Sequence, residues 1–476
     1  MAPKRGATKT GGQPKAKKAN QSTAKKTAPA SAPAGIERQD IHDLTPANKG
    51  HCLAVGINCF GQLGVGDHIT ERKKPAFVRK GTLENVLVTD VAAGGMHTAV
   101  VDEQHRVHTF GCNDEGALGR PASSNEEESY PGLAQGLDDI KAIQVTAGDS
   151  HTAILGSDGY VYAVGVFRDD DGSLAFSPTS LIERQFCRVF PTDEMLKATQ
   201  TRRRKLPLAK QISSGSDHLL ILTTEGQVYS MGTGKQGQLG RLPEKKTTRD
   251  AYRSLGALPE EIKARRTTPE FLQQVLVPGL VRARGFKSIV KVFTGSWASF
   301  ALDDEGHVWA WGLNNHHQLG VPRSEKASFG VDDNCVFFPQ RATKFENLDI
   351  SAIAGGQHHT LVCSEKQQKV FAIGRGDCGR LGLNNEEEMH ELSEVTTLSN
   401  QNLTGVACAV AASYAFSNRG KAYAWGFGTN LQLTNGEDQD ELVPIELSGQ
   451  QLDTRAVAKI SGGGQHTVML AVPNDA

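Results

Sequence analysis

Residues 151–165 read His-Thr-Ala-Ile-Leu-Gly-Ser-Asp-Gly-Tyr-Val-Tyr-Ala-Val-Gly. Two short apolar runs flank a Ser-Asp-Gly turn in this stretch, and that pattern is typical of a β-hairpin. A histidine opens the stretch and a glycine closes it 14 positions later. Both ends recur along the chain, so the hairpin is one unit of a repeated structure.

The closing glycine follows an apolar or aromatic residue and leads, in five copies, into a turn that ends in Leu-Gly. Glycine suits such a place because it accepts a positive φ or the close approach of another backbone. The chain contains seven copies, at Gly56, Gly111, Gly165, Gly232, Gly312, Gly374 and Gly426.

The opening histidine belongs to a second pattern, Gly-Gly-x-His-Thr, which also occurs seven times in full or degenerate form. Its histidine position is occupied by His97, His151, His218, Ala298, His358, Ala412 and His466. In five copies 14 positions separate this residue from the next closing glycine, whereas 16 separate His358 from Gly374. A histidine that recurs in most copies indicates structural hydrogen bonding rather than several separate active sites.

The two patterns are out of phase at the ends of the chain. Gly56 has no histidine pattern before it, and the pattern at His466 has no glycine pattern after it. The two halves make one complete unit only if the ends of the repeat meet, which removes open sheet edges. The sequence therefore predicts an all-β fold, a seven-bladed β-propeller closed by N- and C-terminal strands. We expect the propeller over 46–471, a disordered basic tail over 1–45 and a short C-terminal tail over 472–476.

Charge is distributed unevenly along the chain. Residues 1–35 contain eight Lys or Arg and no acid, which leaves −9 for the remainder of a chain whose net charge is −1. The tail has almost no apolar side chains to bury, so we expect it to be disordered. It is interpreted as a nuclear-import and DNA-binding arm, the alternative being a solvated tail without a partner. The acidic body favours a basic partner.

Several classes of function lack support in the sequence. There is no apolar run of transmembrane length and no secretory signal, so no membrane partner is expected. The eight cysteines form no C-x-x-C pair, and neither a metal site nor a cofactor is predicted. No P-loop, G-x-S-x-G or H-E-x-x-H occurs either. We therefore expect a protein that is not an enzyme of covalent chemistry.

Features confined to one copy of the repeat are the candidates for function. Asp217 precedes His218, Asp149 replaces the second glycine of its pair, and His317 stands where other copies have a turn glycine. The third copy inserts an acidic, Gly-tipped segment at 167–175, which is predicted to form a small protruding hairpin. The fourth copy is followed by a mixed-charge insertion over 241–271, read as a surface for an acidic partner or as a solvated loop.

Four segments resemble the regulator of chromosome condensation family: 110–120 (Phe-Gly-Cys-Asn-Asp-Glu-Gly-Ala-Leu-Gly-Arg), 147–152, Phe167-Arg168-Asp169 and 355–360. The resemblance covers all seven copies. It implies a guanine-nucleotide exchange factor for the small nuclear GTPase Ran, which acts on chromatin in the nucleus. The hairpin at 167–174 would be the family's wedge, pressed near the nucleotide to release GDP. Implied partners are Ran, the nucleosome with its histone acidic surface, DNA and a nuclear import receptor.

The resemblance also assigns roles to residues. Those matched to catalysis are Asp217, Asp149 and His358. Those matched to GTPase binding are His97, Phe167, Arg168, Asp169, Asp170, Asp171, Gly172, Arg241, Asn315, His317, Arg375 and His466. Those assigned to chromatin binding are Lys4, Arg5, Lys15, Lys17, Lys18, Lys25, Lys26, Arg249 and Arg253.

Two other functions remain open at this point. The same propeller could serve as a chromatin-bound structural adaptor without exchange activity. The ultraviolet-sensing branch of the repeat family needs a tryptophan cluster, and the chain has four tryptophans in all. The hairpin at 167–174 together with Asp217 is the feature that favours exchange.

Overall fold

A computed structural model of the chain describes residues 40–45, 47–169, 172–202, 205–241, 268–322, 334–417 and 420–474. Within these residues the strands form seven four-stranded antiparallel sheets and one two-stranded hairpin. The prediction of a seven-bladed all-β propeller is therefore confirmed. Residues 1–39, the basic part of the predicted tail, lie outside the described residues.

The described residues contain thirty strands. In chain order their bounds are β1 His51–Ile57, β2 Glu71–Phe77, β3 Val88–Ala93, β4 His97–Asp102, β5 Val107–Gly111, β6 Gly132–Leu133, β7 Ala142–Ala147, β8 His151–Gly156, β9 Val161–Gly165, β10 Phe167–Asp169, β11 Gly172–Ala175, β12 Glu183–Phe190, β13 Ala209–Ser214, β14 His218–Thr223, β15 Val228–Gly232, β16 Gly279–Leu280, β17 Ile289–Thr294, β18 Ala298–Asp303, β19 Val308–Leu313, β20 Cys335–Arg341, β21 Ala352–Gly355, β22 His359–Ser364, β23 Lys369–Gly374, β24 Met389–Glu394, β25 Leu403–Cys408, β26 Ala412–Ser417, β27 Ala422–Gly426, β28 Glu441–Glu446, β29 Arg455–Gly462 and β30 His466–Pro473.

Short helices connect some of these strands. The α-helices are α1 Asn125–Glu128, α2 Asp193–Arg202 and α3 Pro269–Leu276, and single 3₁₀ turns cover Gly81–Leu83, Thr343–Phe345, Asp377–Gly379 and Thr396–Leu398. The helix α3 begins with Thr268 accepting a hydrogen bond from the Phe271 N–H and with Pro269 in its first turn. No helix of the described residues is long and apolar enough to cross a membrane.

We number the blades 1 to 7 in the order of their closing glycines. From the channel outward, blade 1 is β29-β30-β1-β2, blade 2 is β3-β4-β5-β6, blade 3 is β7-β8-β9-β12, blade 4 is β13-β14-β15-β16, blade 5 is β17-β18-β19-β20, blade 6 is β21-β22-β23-β24 and blade 7 is β25-β26-β27-β28. The second strands are buried throughout, as in β8 and β14, because both faces of each sheet pack against a neighbouring blade.

Blade 1 joins the two ends of the repeat. β1 pairs antiparallel with β30 from His51 opposite Ala471 to Gly56 opposite His466. These last two residues are the ones whose patterns lacked partners in the sequence. The closure predicted from the out-of-phase patterns is confirmed, and the first and last strands of the ring protect each other's edges.

The recurring histidines bind the neighbouring blades. Each is buried, and its Nε2 lies within hydrogen-bond distance of a hydroxyl on the next blade: His97 at 2.8 Å from Thr152, His151 at 3.0 Å from Ser214, His218 at 2.9 Å from Ser299, His359 at 2.8 Å from Ser413 and His466 at 2.9 Å from Thr98. The Thr152 hydroxyl donates onward to the Ala117 carbonyl, so it accepts from His97. The histidine proton therefore sits on Nε2. Burial lowers the pKa of His97 to about 4 and that of His218 to about 3.

The sixth copy corrects one sequence assignment. The residue opposite Gly374 and bonded to blade 7 is His359, not His358. The turn between β22 and β23 is one residue longer than in blade 3, since six residues separate the paired Cys363 and Val370 where five separate Leu155 and Val161. His358 therefore occupies the position before the structural histidine, which is the position of Asp217 in blade 4.

Candidate functional site

Seven short turns surround one mouth of the central channel, and we call this side the entry face. Each turn links the innermost strand of a blade to its second strand. They comprise Gly94–Met96, Gly148–Ser150, Gly215–Asp217, Gly295–Trp297, Gly356–His358, Ala409–Ala411 and Gly463–Gln465. Backbone hydrogen bonds join neighbouring turns, as from Asp149 N–H to the Ser216 carbonyl (2.7 Å) and from Gly464 N–H to the Gly95 carbonyl (3.1 Å). Side chains on these turns therefore stand on a rigid ring.

The hairpin β10–β11 rises from the entry face directly after β9. Its pairing places Phe167 opposite Ala175 and Asp169 opposite Gly172, so the hairpin predicted from the acidic insertion is present. Phe167 is fully buried, with its ring centroid 4.7 Å from that of His151 and 6.1 Å from that of Phe176. Phe167 thus anchors the base of the hairpin in the core, which differs from the expected contact with a partner.

Two hydrogen bonds fasten this hairpin to blade 4. The Arg168 N–H donates to Oδ1 of Asp217 over 2.7 Å, and the Thr233 hydroxyl donates to the Arg168 carbonyl over 2.8 Å. The Arg168 guanidinium pairs with Glu115 of blade 2. The hairpin is therefore held from both sides, and its exposed described residues are Arg168 and Ser173.

Asp217 and Asp149 share a cavity of about 600 Å³ on the entry face, lined also by Met96, Arg168 and Trp297. Burial, and after it the charge of the neighbouring Asp149, raise the pKa of Asp217 to about 8, although the Arg168 N–H and guanidinium oppose both effects. Solvent reaches Asp149 at the mouth of the cavity, but protein surrounds it on most sides. This burial raises the pKa of Asp149, while a hydrogen bond from Ser216 and the charge of Arg168 lower it.

A second polar group lies at the junction of blades 5 and 6. His358 Nδ1 is 3.3 Å from Oδ1 of Asn315, and the His358 ring has edge contacts with Trp297 at 5.5 Å and His316 at 5.1 Å. Burial lowers the pKa of His358 to about 4, and the charges of His316 and Arg375 add to the effect. His358 is therefore neutral at physiological pH. The structure brings together His358, Asn315 and Arg375, whose N–H donates to the His358 carbonyl over 3.0 Å.

His317 stands in the turn after β19, on the same face. Its φ is +61°, in the left-handed region where the corresponding turns of other copies have Gly61, Gly116 and Gly237 at φ of 76° to 84°. The sequence places a histidine where other copies have a turn glycine, which is unfavourable for the backbone. The positive φ of His317 agrees with this expectation. Its ring centroid lies 4.2 Å from that of His390 in blade 6.

Three residues matched to GTPase binding have structural positions instead. His97 and His466 are buried between blades, as described above. Arg241 donates to the hydroxyl of Ser230 and to carbonyls at the end of α3, including that of Val277 at 3.2 Å. Arg120 makes the equivalent bonds in blade 2. Because these groups are buried between blades or hydrogen-bonded to the protein's own backbone, their places do not fit the expected contact with a partner.

Some assigned residues lie outside the described part of the chain. They are Asp170 and Asp171, which follow β10 in the sequence, Arg249 and Arg253 of the insertion, and the tail residues Lys4, Arg5, Lys15, Lys17, Lys18, Lys25 and Lys26. Gly172 begins β11 at φ +110°, and no other group lies within 4 Å of the place a side chain would take.

Glu115, Met96 and Trp297 line the cavity with Asp217 but were not identified from the sequence. Each is a departure confined to one copy at a turn position, so the criterion that selected Asp217 also applies to them. Met96 and Trp297 did not stand out because apolar residues at a turn do not by themselves indicate a function, and Glu115 did not because a charged residue at a turn is usually solvated.

Comparison with known proteins identifies the family. The protein-family model described as the RCC1-like domain matches residues 51–469 of this chain. The regulator of chromosome condensation of Mus musculus is 40% identical over 437 residues, covering 90% of this chain and 91% of that protein. The guanine nucleotide exchange factor SRM1 of Saccharomyces cerevisiae is 27% identical over 461 residues, covering 88% of this chain and 86% of that protein.

A solved structure shows the same architecture. Prp20p of Saccharomyces cerevisiae, described with binding properties to Gsp1p and histones, superposes with a TM-score of 0.73 at 27% identity, covering 90% of this chain and 92% of that one. A second structure shows yeast RCC1 (Prp20) bound to Kap60, with a TM-score of 0.73 at 26% identity, covering 94% and 95%. On this evidence the chain belongs to the family of the regulator of chromosome condensation, whose RCC1-like domain it carries.

Proposed function

We propose that this protein is a guanine-nucleotide exchange factor for the small nuclear GTPase Ran and that it acts on chromatin. The observation that carries the proposal is the fastening of the β10–β11 hairpin to Asp217 beside an acidic cavity on the entry face. Support comes from relatives, since SRM1 is named a guanine nucleotide exchange factor and Prp20p is described as binding Gsp1p and histones.

The exchange requires no covalent chemistry from this chain. A factor that binds the GTPase better without nucleotide than with it lowers nucleotide affinity by the same ratio, because the coupling is reciprocal. A rigid hairpin on a rigid ring suits this task, since it does not adapt to the nucleotide-bound shape. Arg168 and the residues beyond it would press on the GTPase as a wedge, while Asp217 and His358 would contact or orient it.

Charge supports the choice of partner. Four carboxyl groups and two cations lie in the described lining of one cavity: Glu115, Asp149, Asp169 and Asp217 with Arg168 and Lys235. An acidic recess of this kind favours a basic protein surface and speeds its association. The basic tail and the insertion over 241–271 would serve histones, DNA and an import receptor, in agreement with the histone binding of Prp20p and its complex with Kap60.

The test is release of fluorescent GDP from Ran upon adding catalytic amounts of this protein. We expect strong acceleration by the wild type. A variant with Arg168–Ser173 replaced by a short Gly-Ser turn should lose it while keeping the melting temperature. Asp304→Ala removes an exposed carboxylate at the β18–β19 turn, away from the entry face, and is the matched control. Absence of acceleration by the wild type would leave the structural adaptor as the function.

A further inference from the structure

Two imidazoles and a carboxylate meet on the rim of the entry face. His317 comes from the turn after β19 of blade 5, and Glu388 and His390 come from the start of β24 in blade 6. The ligand-capable atoms of these three side chains all lie within 4.8 Å of one another. Glu388 and His390 are exposed and His317 is half-buried, so the group is open to solvent.

The carboxylate of Glu388 lies between histidines. Its Oε1 is 3.0 Å from Nε2 of His390, and its Oε2 is 2.8 Å from Nδ1 of His316. An exposed carboxylate is ionised at neutral pH, so Glu388 offers an anionic oxygen, and His316 fixes its orientation from outside the group.

The backbone at His317 has a left-handed conformation that is unfavourable for a residue with a Cβ. Four other copies of the repeat fill this turn position with glycine at a positive φ, and His317 adopts the same left-handed conformation. A side chain with a Cβ costs on the order of 1 kcal/mol there. The substitution places an imidazole 4.2 Å from that of His390, centroid to centroid.

We propose that His317, Glu388 and His390 bind a divalent transition-metal ion of the zinc class. Two imidazole nitrogens and one carboxylate oxygen suit Zn²⁺ or Co²⁺, whereas Mg²⁺ and Ca²⁺ prefer oxygen ligands alone. Three protein ligands leave the fourth tetrahedral position to water or to an atom of a docking partner. His316 is the outer partner that orients the carboxylate, in the way metal sites commonly hold their ligands.

Metal binding requires a modest contraction of the group. Ligands about 2.1 Å from a tetrahedral ion stand closer together than 4.8 Å. Rotation of the exposed Glu388 and His390 side chains can supply this movement without a change in the strands. The sequence predicted no metal site because the ligands come from two different blades, at spacings that match no linear zinc motif.

Titration of the full chain, purified without a polyhistidine tag, tests the proposal. Calorimetry with ZnCl₂ should show one saturable site, and Co²⁺ should give the visible absorption of a tetrahedral ion. His317→Gly, which restores the glycine of the other copies, and His390→Ala should each weaken binding more than about tenfold. His307→Ala is the control, because His307 lies beside Asp303 and Glu305 but has no second imidazole nearby.

Melting curves of both variants are recorded before the titration, to establish that each variant is folded. The proposal is overturned if the wild type shows no saturable site, if both variants bind as tightly as the wild type, or if His307→Ala weakens binding equally. No GTPase takes part in this titration, so its outcome is independent of the proposed exchange activity.

Discussion

Oδ1 of Asp217 accepts a 2.7 Å hydrogen bond from the Arg168 N–H, and this bond joins the hairpin of blade 3 to the entry turn of blade 4. Asp217 thereby has two possible contributions to exchange: it holds the hairpin, and its carboxyl group can bind a partner directly. The two contributions respond differently to substitution, because asparagine keeps an oxygen acceptor and loses the charge.

Asp217→Ala should lower kcat/KM for GDP release between about tenfold and a hundredfold, the loss expected when one partner of a largely buried hydrogen bond is removed and the Arg168 N–H is left without its acceptor. Asp217→Asn should retain most of the activity if the carboxyl acts by holding the hairpin. The measurement is nucleotide release under multiple turnover, with Asp304→Ala as the control. Equal activity of wild type and Asp217→Ala would show that this bond has no part in exchange.

The raised pKa of Asp217 makes a prediction about stability. Its pKa is about 8 in the folded protein against an ordinary 3.8, so its stabilising contribution is complete below pH 3.8 and is lost as pH rises to about 8. Asp217→Asn removes this dependence. The melting temperature of the variant should therefore rise relative to wild type from pH 5 to pH 8 and then level off. A difference that does not change with pH would contradict the raised pKa.

The buried histidines between blades predict sensitivity to mild acid. Burial lowers the pKa of His97 to about 4 and those of His151, His218, His359 and His466 to about 3. Their stabilising contribution is present above pH 6.5, the ordinary histidine value, and is lost as pH falls toward these lowered values.

Each such histidine contributes up to about 1.4 kcal/mol of unfolding free energy per pH unit below pH 6.5. Urea unfolding between pH 5 and 7 measures the slope. His466→Gln should reduce this slope by the contribution of one proton, up to about 1.4 kcal/mol per pH unit. His68 is exposed, so His68→Ala should leave the slope unchanged. A flat profile over this range would mean that the histidines are already charged in the folded protein.

Blades 5 and 7 lack the histidine that bonds to a hydroxyl group of the next blade, and the two blades differ in what stands in its place. In blade 7 the Tyr414 hydroxyl lies 2.7 Å from Oγ1 of Thr467 in blade 1 and replaces the missing imidazole. In blade 5 the equivalent residue is Phe300, and Oγ1 of Thr360 in blade 6 is buried without a hydrogen-bond partner. An unpaired buried hydroxyl costs free energy.

Phe300→Tyr should therefore stabilise the protein by about 1 kcal/mol, because the added hydroxyl reaches Thr360 as Tyr414 reaches Thr467. Tyr414→Phe, the reverse change in blade 7, should destabilise it by about 1–3 kcal/mol. Both are measured as the free energy of unfolding in urea. The opposite result would be that Phe300→Tyr destabilises the protein and that adding Thr360→Val does not restore stability. That result would show that the site has no room for the hydroxyl.

Removal of residues 1–35 should weaken nucleosome binding at moderate salt. The segment holds eight Lys or Arg and no acid, and each phosphate contact adds about 0.9 to the slope of log affinity against log salt. The truncated protein should show a shallower slope in gel-shift titrations over several salt concentrations. A control that replaces the basic residues of 1–35 by glutamine should match the truncation. An unchanged slope would exclude the tail as a DNA contact.

The fold could be predicted from the sequence because each blade repeats the same two patterns at nearly constant spacing. Even the closing pair, Gly56 with His466, followed from the phase of the patterns at the two ends. The register of blade 6 could not be predicted, since adjacent His358 and His359 fit the pattern almost equally and the longer turn after β22 hid the difference.

The site was predicted less completely. Asp149, Asp217 and the hairpin stood out because they depart from the repeat, and they lie together around one cavity. The resemblance placed Phe167, Arg241, His97 and His466 toward a partner, although burial and internal hydrogen bonds give them structural positions. The grouping of His317 with Glu388 and His390 depends on how two blades pack, which linear spacing does not encode.

The pairing of β1 with β30 has a consequence during synthesis. During translation β1 is synthesised before the other strands of the ring and β30 after them. The edge of β1 that pairs with β30 therefore stays unpaired until β30 has been synthesised. Such an edge is a target for chaperones. A nonsense codon that removes β30 alone would leave β1 and β2 without an inner partner, and a message damaged near its end should yield a product for degradation rather than a six-bladed ring.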